Sequence, residues 1–352
     1  MAKYAAIRAI STYLPETVEK NELSEKRLEK LGIYERHIST AKEAASDLAV
    51  KAAENLFCEY DIKKEDIDYL IVCVTHPDYP TPPTACIAQD KLGLLRQTAA
   101  IDISMGCSGY PYGLSIAKGL VESKIAKNVL YLNTNVMTKF INKKDNNIRP
   151  IFGDGATATY ISAVEADHPL IHSFAFDTDG SGYDVIGVRA GGSRNTCLDT
   201  EKVVEQDERG NIRTNFEWHM NGNELFVFTL KTVPPLVERV LNKATLKRED
   251  IDYYVFHQAN HYMLNNIQKK CHIENMAFFN DMRNTGNTGC CSIPLGIAKI
   301  LETTSFKDLQ RVMMVGFGVG LSCSACIADL TYMIKKSPKS QNLVKSDYGN
   351  TD

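Results

Sequence analysis

Four short segments of this chain carry residue types that could do covalent chemistry together. The first is Asp102-Ile-Ser-Met-Gly-Cys107-Ser-Gly-Tyr-Pro-Tyr-Gly113. A strand-like run ends, the chain turns sharply through glycine, and a helical pattern begins at or just after the cysteine. A thiol there lies near the positive end of a helix macrodipole, which lowers its pKa and raises its thiolate fraction. The glycines let a substrate approach the backbone. The sulfur could attack a carbonyl carbon, with backbone N–H groups at hand for the resulting oxyanion. A structural cysteine beside a tight turn has the same local pattern, so this motif alone leaves both readings open.

The second segment is Val255-Phe-His257-Gln-Ala-Asn260, a histidine at the end of a short apolar run. Parallel α/β sheets build sites at the C-terminal ends of their strands. The third is Arg283-Asn-Thr-Gly-Asn287-Thr-Gly289, where a glycine-flanked asparagine could present its amide as a donor or cap the following helix. The fourth is Val315-Gly-Phe-Gly-Val-Gly320, a strand followed by a glycine turn that could offer backbone N–H groups to a carbonyl oxygen. Cysteine, histidine, asparagine and glycine turn, in that order, form a constellation that none of them makes alone.

The elements that must position these residues repeat. Ile62-Lys-Lys-Glu-Asp-Ile-Asp-Tyr69 returns as Leu246-Lys-Arg-Glu-Asp-Ile-Asp-Tyr253, each copy followed by an apolar run and a histidine, His76 or His257. The correspondence continues from Cys107 to Cys290, Pro111 to Pro294, Gly113 to Gly296, and Asn128-Val-Leu-Tyr131 to Arg311-Val-Met-Met314. An ordered match of this kind reads as an internal duplication. Periodicity predicts helices over 43–59, 84–92, from the cysteine turn to about 123, 233–243, 261–271 and 293–301. It predicts strands over 68–74, 99–104, 128–133 and 252–256. Alternating helix and strand implies parallel sheets covered on both faces. Two such halves, 1–165 and 166–335, pack as an α/β/α/β/α sandwich. The glycine-rich stretch 173–215 reads as strands and loops over a site mouth, and the polar segment 336–352 as a disordered tail.

The chain has 352 residues, 44% of them apolar, enough for a large core or two domains. Its net charge of −3, with lysines and arginines scattered among acids, leaves no basic face for nucleic acid. No apolar run reaches the roughly 20 residues of a membrane span. Nor does the N-terminus read as a signal peptide. Ten cysteines in a chain of this length fit a reducing cytoplasm rather than a disulfide scaffold. Cys323-Ser-Ala-Cys326 has CxxC spacing without a second pair, so zinc is not expected. Cys290 and Cys291 read as structural, and His37, His168 and His172 have no motif around them. His76 reads as a loop residue near a dimer contact.

Taken together, the sequence resembles the beta-ketoacyl-acyl-carrier-protein synthase III family. The matching hallmarks are the Cys107-Ser-Gly turn, Phe152-Gly-Asp-Gly-Ala156, Gly222-Asn-Glu-Leu-Phe226, His257-Gln-Ala-Asn260, Gly286-Asn-Thr288 and Gly316-Phe-Gly318, over residues 4–330. The resemblance implies the five-layered thiolase fold and catalysis by Cys107, His257 and Asn287. Cys107 would take an acyl group from acyl-CoA or an acyl-carrier-protein, with the amides of Cys107 and Val319 as oxyanion hole. His257 and Asn287 would hold a malonyl thioester as it loses CO2, in fatty acid or specialised acyl-chain biosynthesis. Asn223, Ala259, Asn260, Phe317, Thr81 and Phe152 are the implied substrate-binding positions. No metal or redox cofactor is implied, and the expected assembly is a homodimer.

Some positions depart from the family. Lys26 and Lys30 stand where a tryptophan and an arginine usually hold the CoA adenine, and Asn146 stands for a further CoA-binding arginine. Losing a ring and two planar forks weakens nucleotide binding, which favours a carrier-protein donor or another CoA pose. Thr81 replaces a bulky phenylalanine that closes the acyl pocket across the dimer interface, leaving room for a longer or branched chain. A non-condensing acyltransferase on the same scaffold, and a non-catalytic partner subunit, are the competing readings.

Overall fold

The computed structural model describes residues 2–208 and 210–338. The first half runs β1 (Ala2–Tyr13), β2 (Val18–Lys20), α1 (Glu25–Leu31), β3 (Glu35–His37), α2 (Ala45–Tyr60), β4 (Tyr69–Val74), α3 (Thr84–Leu92), β5 (Ala99–Ile103), α4 (Gly109–Glu122), β6 (Asn128–Asn135) and β7 (Gly155–Ala166). The second runs β8 (Ile171–Thr178), β9 (Ile186–Val188), β10 (Val204–Gln206), β11 (Ile212–Thr214), β12 (Trp218–Met220), α5 (Gly222–Ala244), β13 (Tyr253–Phe256), α6 (His261–Lys270), β14 (Phe278–Phe279), α7 (Ser292–Thr303), β15 (Val312–Gly318) and β16 (Ser322–Ala328).

The duplication is visible in the sheets. One has the order β1-β7-β6-β4-β5 and the other β8-β16-β15-β13-β14. Repeated strand β4 therefore corresponds to β13, and β6 to β15. In each sheet three neighbouring strands, β6-β4-β5 or β15-β13-β14, pair in parallel, and one strand, β7 or β16, runs antiparallel to both of its neighbours. The wholly parallel sheets expected from the alternation are thus corrected to mixed ones. In the second sheet the reason is local: β15 turns back into β16 after three residues, and only an antiparallel partner can be reached by so short a link.

Period-two burial sets the layers. On β4, Leu70 and Val72 face α2, packing with its buried stripe Leu48, Ala49, Ala52, Ala53 and Leu56. Ile71 and Cys73 face inward, into a core shared by α4, α7 and both sheets. On the far side α5 and α6 cover the second sheet. The result is the α/β/α/β/α sandwich of the thiolase fold. Burying each leucine or valine of such faces contributes about 1.5–3 kcal/mol. The central helices lie close to the sheets because the duplicated glycines permit it. A Cβ on Gly113 would meet the Tyr131 ring at 2.1 Å, and one on Gly296 the Phe279 ring at 2.8 Å.

Two boundaries differ from expectation. Helix α5 begins at Gly222, eleven residues before the predicted start, and runs through Pro234 and Pro235. Asn221 caps it by accepting the Glu224 N–H, and its buried stripe from Leu225 to Leu241 holds it on the sheet despite the prolines. Of the polar tail, Lys336 pairs with Glu59 and the Ser337 N–H donates to the Glu59 carbonyl at 2.7 Å. Residues 339–352 lie outside the described residues. No helix among the described residues is long and apolar enough to cross a membrane.

Candidate active site

The four chemistry-bearing turns meet. Cys107 lies on the turn between β5 and α4, buried at 4% exposure. The end of β15 crosses it closely: a Cβ on Gly318 would stand 3.2 Å from the Cys107 sulfur, and one on Gly316 would stand 2.7 Å from its carbonyl oxygen. Gly318 also has φ +153°, which side-chain-bearing residues rarely adopt. A hydroxyl chain ties the two turns together. Ser108 and Ser322 share a hydrogen bond at 2.7 Å, Ser322 donates to the Val319 carbonyl at 2.6 Å, and Ser324 donates to the Ser108 carbonyl at 2.6 Å.

His257 follows β13, its backbone N–H held by the Val315 carbonyl at 2.8 Å. The ring sits edge-on to Phe317, with Nδ1 2.7 Å from Ser292 Oγ. Asn287 Oδ1 accepts the Gly289 N–H at 2.9 Å, which turns its Nδ2 toward His257 Nε2, 3.4 Å away. The asparagine backbone is clamped as well. Its N–H donates to the Ile151 carbonyl, and its carbonyl accepts the Gly153 N–H. The Phe-Gly-Asp-Gly motif serves this clamp. Asp154 accepts hydrogen bonds from Ser39 and Thr138, and the buried Arg36 donates to the Phe152 carbonyl.

A cavity of about 450 Å3 opens from these groups. Cys107, His257, Asn287, Phe152, Asn223, Ala259, Asn260 and Phe317 all line it. Val319 and Thr81 do not. Val319 packs its side chain against Gly106 beside the nucleophile, and its neighbour Gly318 reaches the cavity. Thr81 is exposed on a loop before α3. The apolar wall is completed by Ile151, Ile186, Met220, Leu225, Phe226 and Met263. Ile186 and Met220 face one another across the β9–β12 pair, so the irregular stretch 173–215 does contribute to the mouth. Its β10–β11 arm lines an adjoining polar cleft.

At the entrance Lys30 lies 4.4 Å from the Tyr262 ring centroid, and Tyr262 stacks on Phe226. Lys26 is exposed on α1 and does not line the cavity. Arg27, beside it in sequence, donates to the Asn146 carbonyl and lines a smaller cavity with Lys30 and Tyr262. Sequence reasoning missed Arg27, Tyr262 and Ser292. Tyr262 was the findable one, two residues after the Asn260 of a recognised motif.

Burial dominates the electrostatics. It pushes the Cys107 thiol up to about 12, against a pull from the residue's own backbone N–H. The lowered thiol pKa expected from the helix terminus is therefore corrected. A terminus contributes up to about 1 kcal/mol at ordinary sites, less than one pKa unit, and burial outweighs it. His257 is pushed down to about 3 by the same cause, with a hydrogen bond to the Gly289 backbone pulling the other way, so the ring is neutral at physiological pH. Cys290 and Cys291 are buried thiols off the cavity, close to carbonyls of Cys73, Thr134 and Gly155. Cys323 and Cys326 point to opposite faces of β16, into different cores. His76 lies in a loop, stacked on Phe140 and accepting the Trp218 indole N–H at 2.7 Å. No group of three or more His, Cys, Asp and Glu side chains among the described residues could hold a metal ion.

The fold is that of the thiolase-like condensing enzymes. A 2.1 Å crystal structure of a 3-oxoacyl-(acyl-carrier-protein) synthase III superposes with a TM-score of 0.89 at 38% identity, covering 93% of this chain and 99% of that one. The priming beta-ketosynthase of the R1128 polyketide pathway shares the fold, with a TM-score of 0.80 at 24% identity over 93% of this chain and 96% of its own. Family models for 3-oxoacyl-(acyl-carrier-protein) synthase III and for its C-terminal part match residues 101–180 and 241–330. The beta-ketoacyl-(acyl-carrier-protein) synthase III of Clostridioides difficile is 35% identical over 93% of this chain and 98% of its own length. That of Caldanaerobacter subterraneus subsp. tengcongensis is 34% identical over 92% and 97%. The chain belongs to the synthase III family, enzymes of the acyl-transferring, condensing class.

Proposed function

We propose that this chain joins an acyl group carried on Cys107 to a malonyl thioester, with His257 and Asn287 stabilising the malonyl-derived anion. The observation that carries the reading is the pair of side-chain nitrogens 3.4 Å apart beside the nucleophile. Two donors at that separation can each lie about 2.9 Å from a single oxygen, the geometry a developing enolate needs.

The steps balance without a net base. Cys107 sulfur attacks the acyl thioester, the tetrahedral oxyanion rests on the Cys107 and Val319 amides, and the departing thiol takes the cysteine proton. The malonyl thioester then loses CO2, and its electron pair becomes an enolate whose oxygen accepts from His257 and Asn287. The enolate carbon attacks the acyl carbonyl. Cys107 leaves as thiolate and takes up one proton from solvent, the proton that the decarboxylative condensation consumes, and the 3-oxoacyl thioester departs. Decarboxylation generates the carbanion directly, so no metal or redox cofactor takes part.

The apolar wall receives the acyl chain. Lys30, Arg27 and Tyr262 meet the thioester carrier at the entrance, where Lys30 stands in place of part of the expected adenine clamp. Acyl-CoA and acyl-carrier-protein both fit the class of donor, and malonyl-acyl-carrier-protein is the second substrate. The chain divides near residue 165 into a half bearing the nucleophile and a half bearing His257 and Asn287. A homodimer is compatible with β5, one of the four edge strands of the two large sheets among the described residues. Asp102 of β5 accepts the Thr84 and Ala85 N–H groups at 2.7 Å, which ties the start of α3, and the Thr81 loop before it, to that edge. Ten free thiols suit the cytoplasm.

The test is product analysis. Purified protein is given an acyl thioester panel and malonyl-acyl-carrier-protein, and products are identified by mass. A 3-oxoacyl-carrier-protein supports the proposal. Acyl transfer without CO2 release contradicts it.

A further inference from the structure

Ser292 belongs to the turn that duplicates the nucleophile turn, in the place where the first half has Gly109. It opens α7 and is buried at 1% exposure. Its hydroxyl oxygen lies 2.7 Å from His257 Nδ1 and accepts the Gln258 backbone N–H at 3.3 Å. Gln258 is itself fixed, donating from Nε2 to the Phe256 and Phe279 carbonyls and accepting the Asp281 N–H.

Resting on the condensation reading, we infer that Ser292 is a positioning residue that sets the tautomer of His257, donating its hydroxyl proton to Nδ1 and leaving the ring proton on Nε2. Among the described residues the Ser292 hydroxyl has one acceptor in reach, Nδ1. The opposite tautomer would put a ring N–H on Nδ1 and leave the buried serine proton without an acceptor. It would also leave a bare Nε2 facing the cavity, able to accept from Asn287 but not to donate to a substrate. With the proton on Nε2, His257 and Asn287 are both donors. Their 3.4 Å separation is long for a hydrogen bond between them and right for two bonds to one shared oxygen. Ser292 therefore acts on the decarboxylation step and leaves the acylation of Cys107 untouched.

The experiment compares full-length wild type, Ser292→Ala and Ser292→Thr. Acylation is followed by intact mass, decarboxylation by CO2 release from malonyl-acyl-carrier-protein, and the ring tautomer by 15N NMR of histidine-labelled protein, with His257→Gln giving the assignment. Expected are wild-type acylation in Ser292→Ala, decarboxylation lower by roughly two orders of magnitude, recovery in Ser292→Thr, and a wild-type His257 protonated on Nε2. Equal decarboxylation in Ser292→Ala, or an equal loss of acylation and decarboxylation, overturns the inference. If Ser292→Ala does not fold, the wild-type spectrum decides, and a proton on Nδ1, held by the Gly289 backbone or Ser292, overturns it. Wild type that acylates but never releases CO2 sinks the condensation reading instead, and the tautomer then still tells whether Ser292 sets the ring.

Discussion

Replacing Asn287 by aspartate changes one atom at the centre of the site. The Gly289 N–H keeps an oxygen acceptor, and the backbone clamp to Ile151 and Gly153 does not involve the side chain. The amide nitrogen 3.4 Å from His257 Nε2 becomes a carboxyl oxygen. An enolate oxygen formed between them loses one of its two side-chain donors. Removing such a donor costs about 2.7–4 kcal/mol, which is about 10²- to 10³-fold in rate. A residual negative charge on the buried carboxyl would add repulsion to that loss. Cys107 acylation relies on the backbone amides and stays near the wild-type rate. The assay measures both half-reactions on one preparation, acyl transfer by intact mass and CO2 release from labelled malonyl thioester. Decarboxylation within threefold of wild type would refute the two-donor geometry, as would a parallel loss of acylation.

Three more outcomes are expected. Gly318→Ala places a methyl 3.2 Å from the Cys107 sulfur at φ +153°, so acylation falls sharply; unchanged acylation would show that β15 does not shape the thiol's approach. Alkylation of Cys107 by iodoacetamide rises about tenfold per pH unit between pH 7 and 10, because burial holds the thiol up to about 12; a plateau near 8.5 would mean an ordinary thiol. The decarboxylation half-reaction is flat from pH 5 to 8. Its working form is the neutral ring, and His257 takes a proton only as pH falls toward about 3; a loss centred near 6.5, where an unperturbed imidazole titrates, would contradict the buried site.

The duplicated charged turn and apolar strand, 62–74 and 246–256, announced β4 and β13 because local patterning fixes a buried strand between polar turns. The mixed sheets were hidden, since the reversal into β16 hangs on one short glycine turn that reads equally well as a loop. The true start of α5 is hidden because Pro234-Pro235 looks like a first helical turn, where proline is tolerated, while burial of the long stripe from Leu225 to Leu241 carries the helix back to Gly222. The members of the site were legible as motifs, Cys107, His257 and Val319 just after strands and Asn287 in a glycine turn before a helix. Their electrostatics were not: a helix start near Cys107 points to a lowered pKa, while the burial that reverses it comes from β15, some 200 residues away in sequence. Ser292 was hidden for a similar reason, lying inside a turn whose cysteines read as structural.

The central claim is that Cys107 is the acyl carrier. The most direct test is intact-protein and peptide mass spectrometry of wild type and Cys107→Ala after incubation with acyl-CoA and acyl-carrier-protein donors, without malonyl thioester. The account predicts one added acyl group, mapped to Cys107 and absent from the variant. Acylation at another cysteine, or equal labelling of the variant, would contradict it.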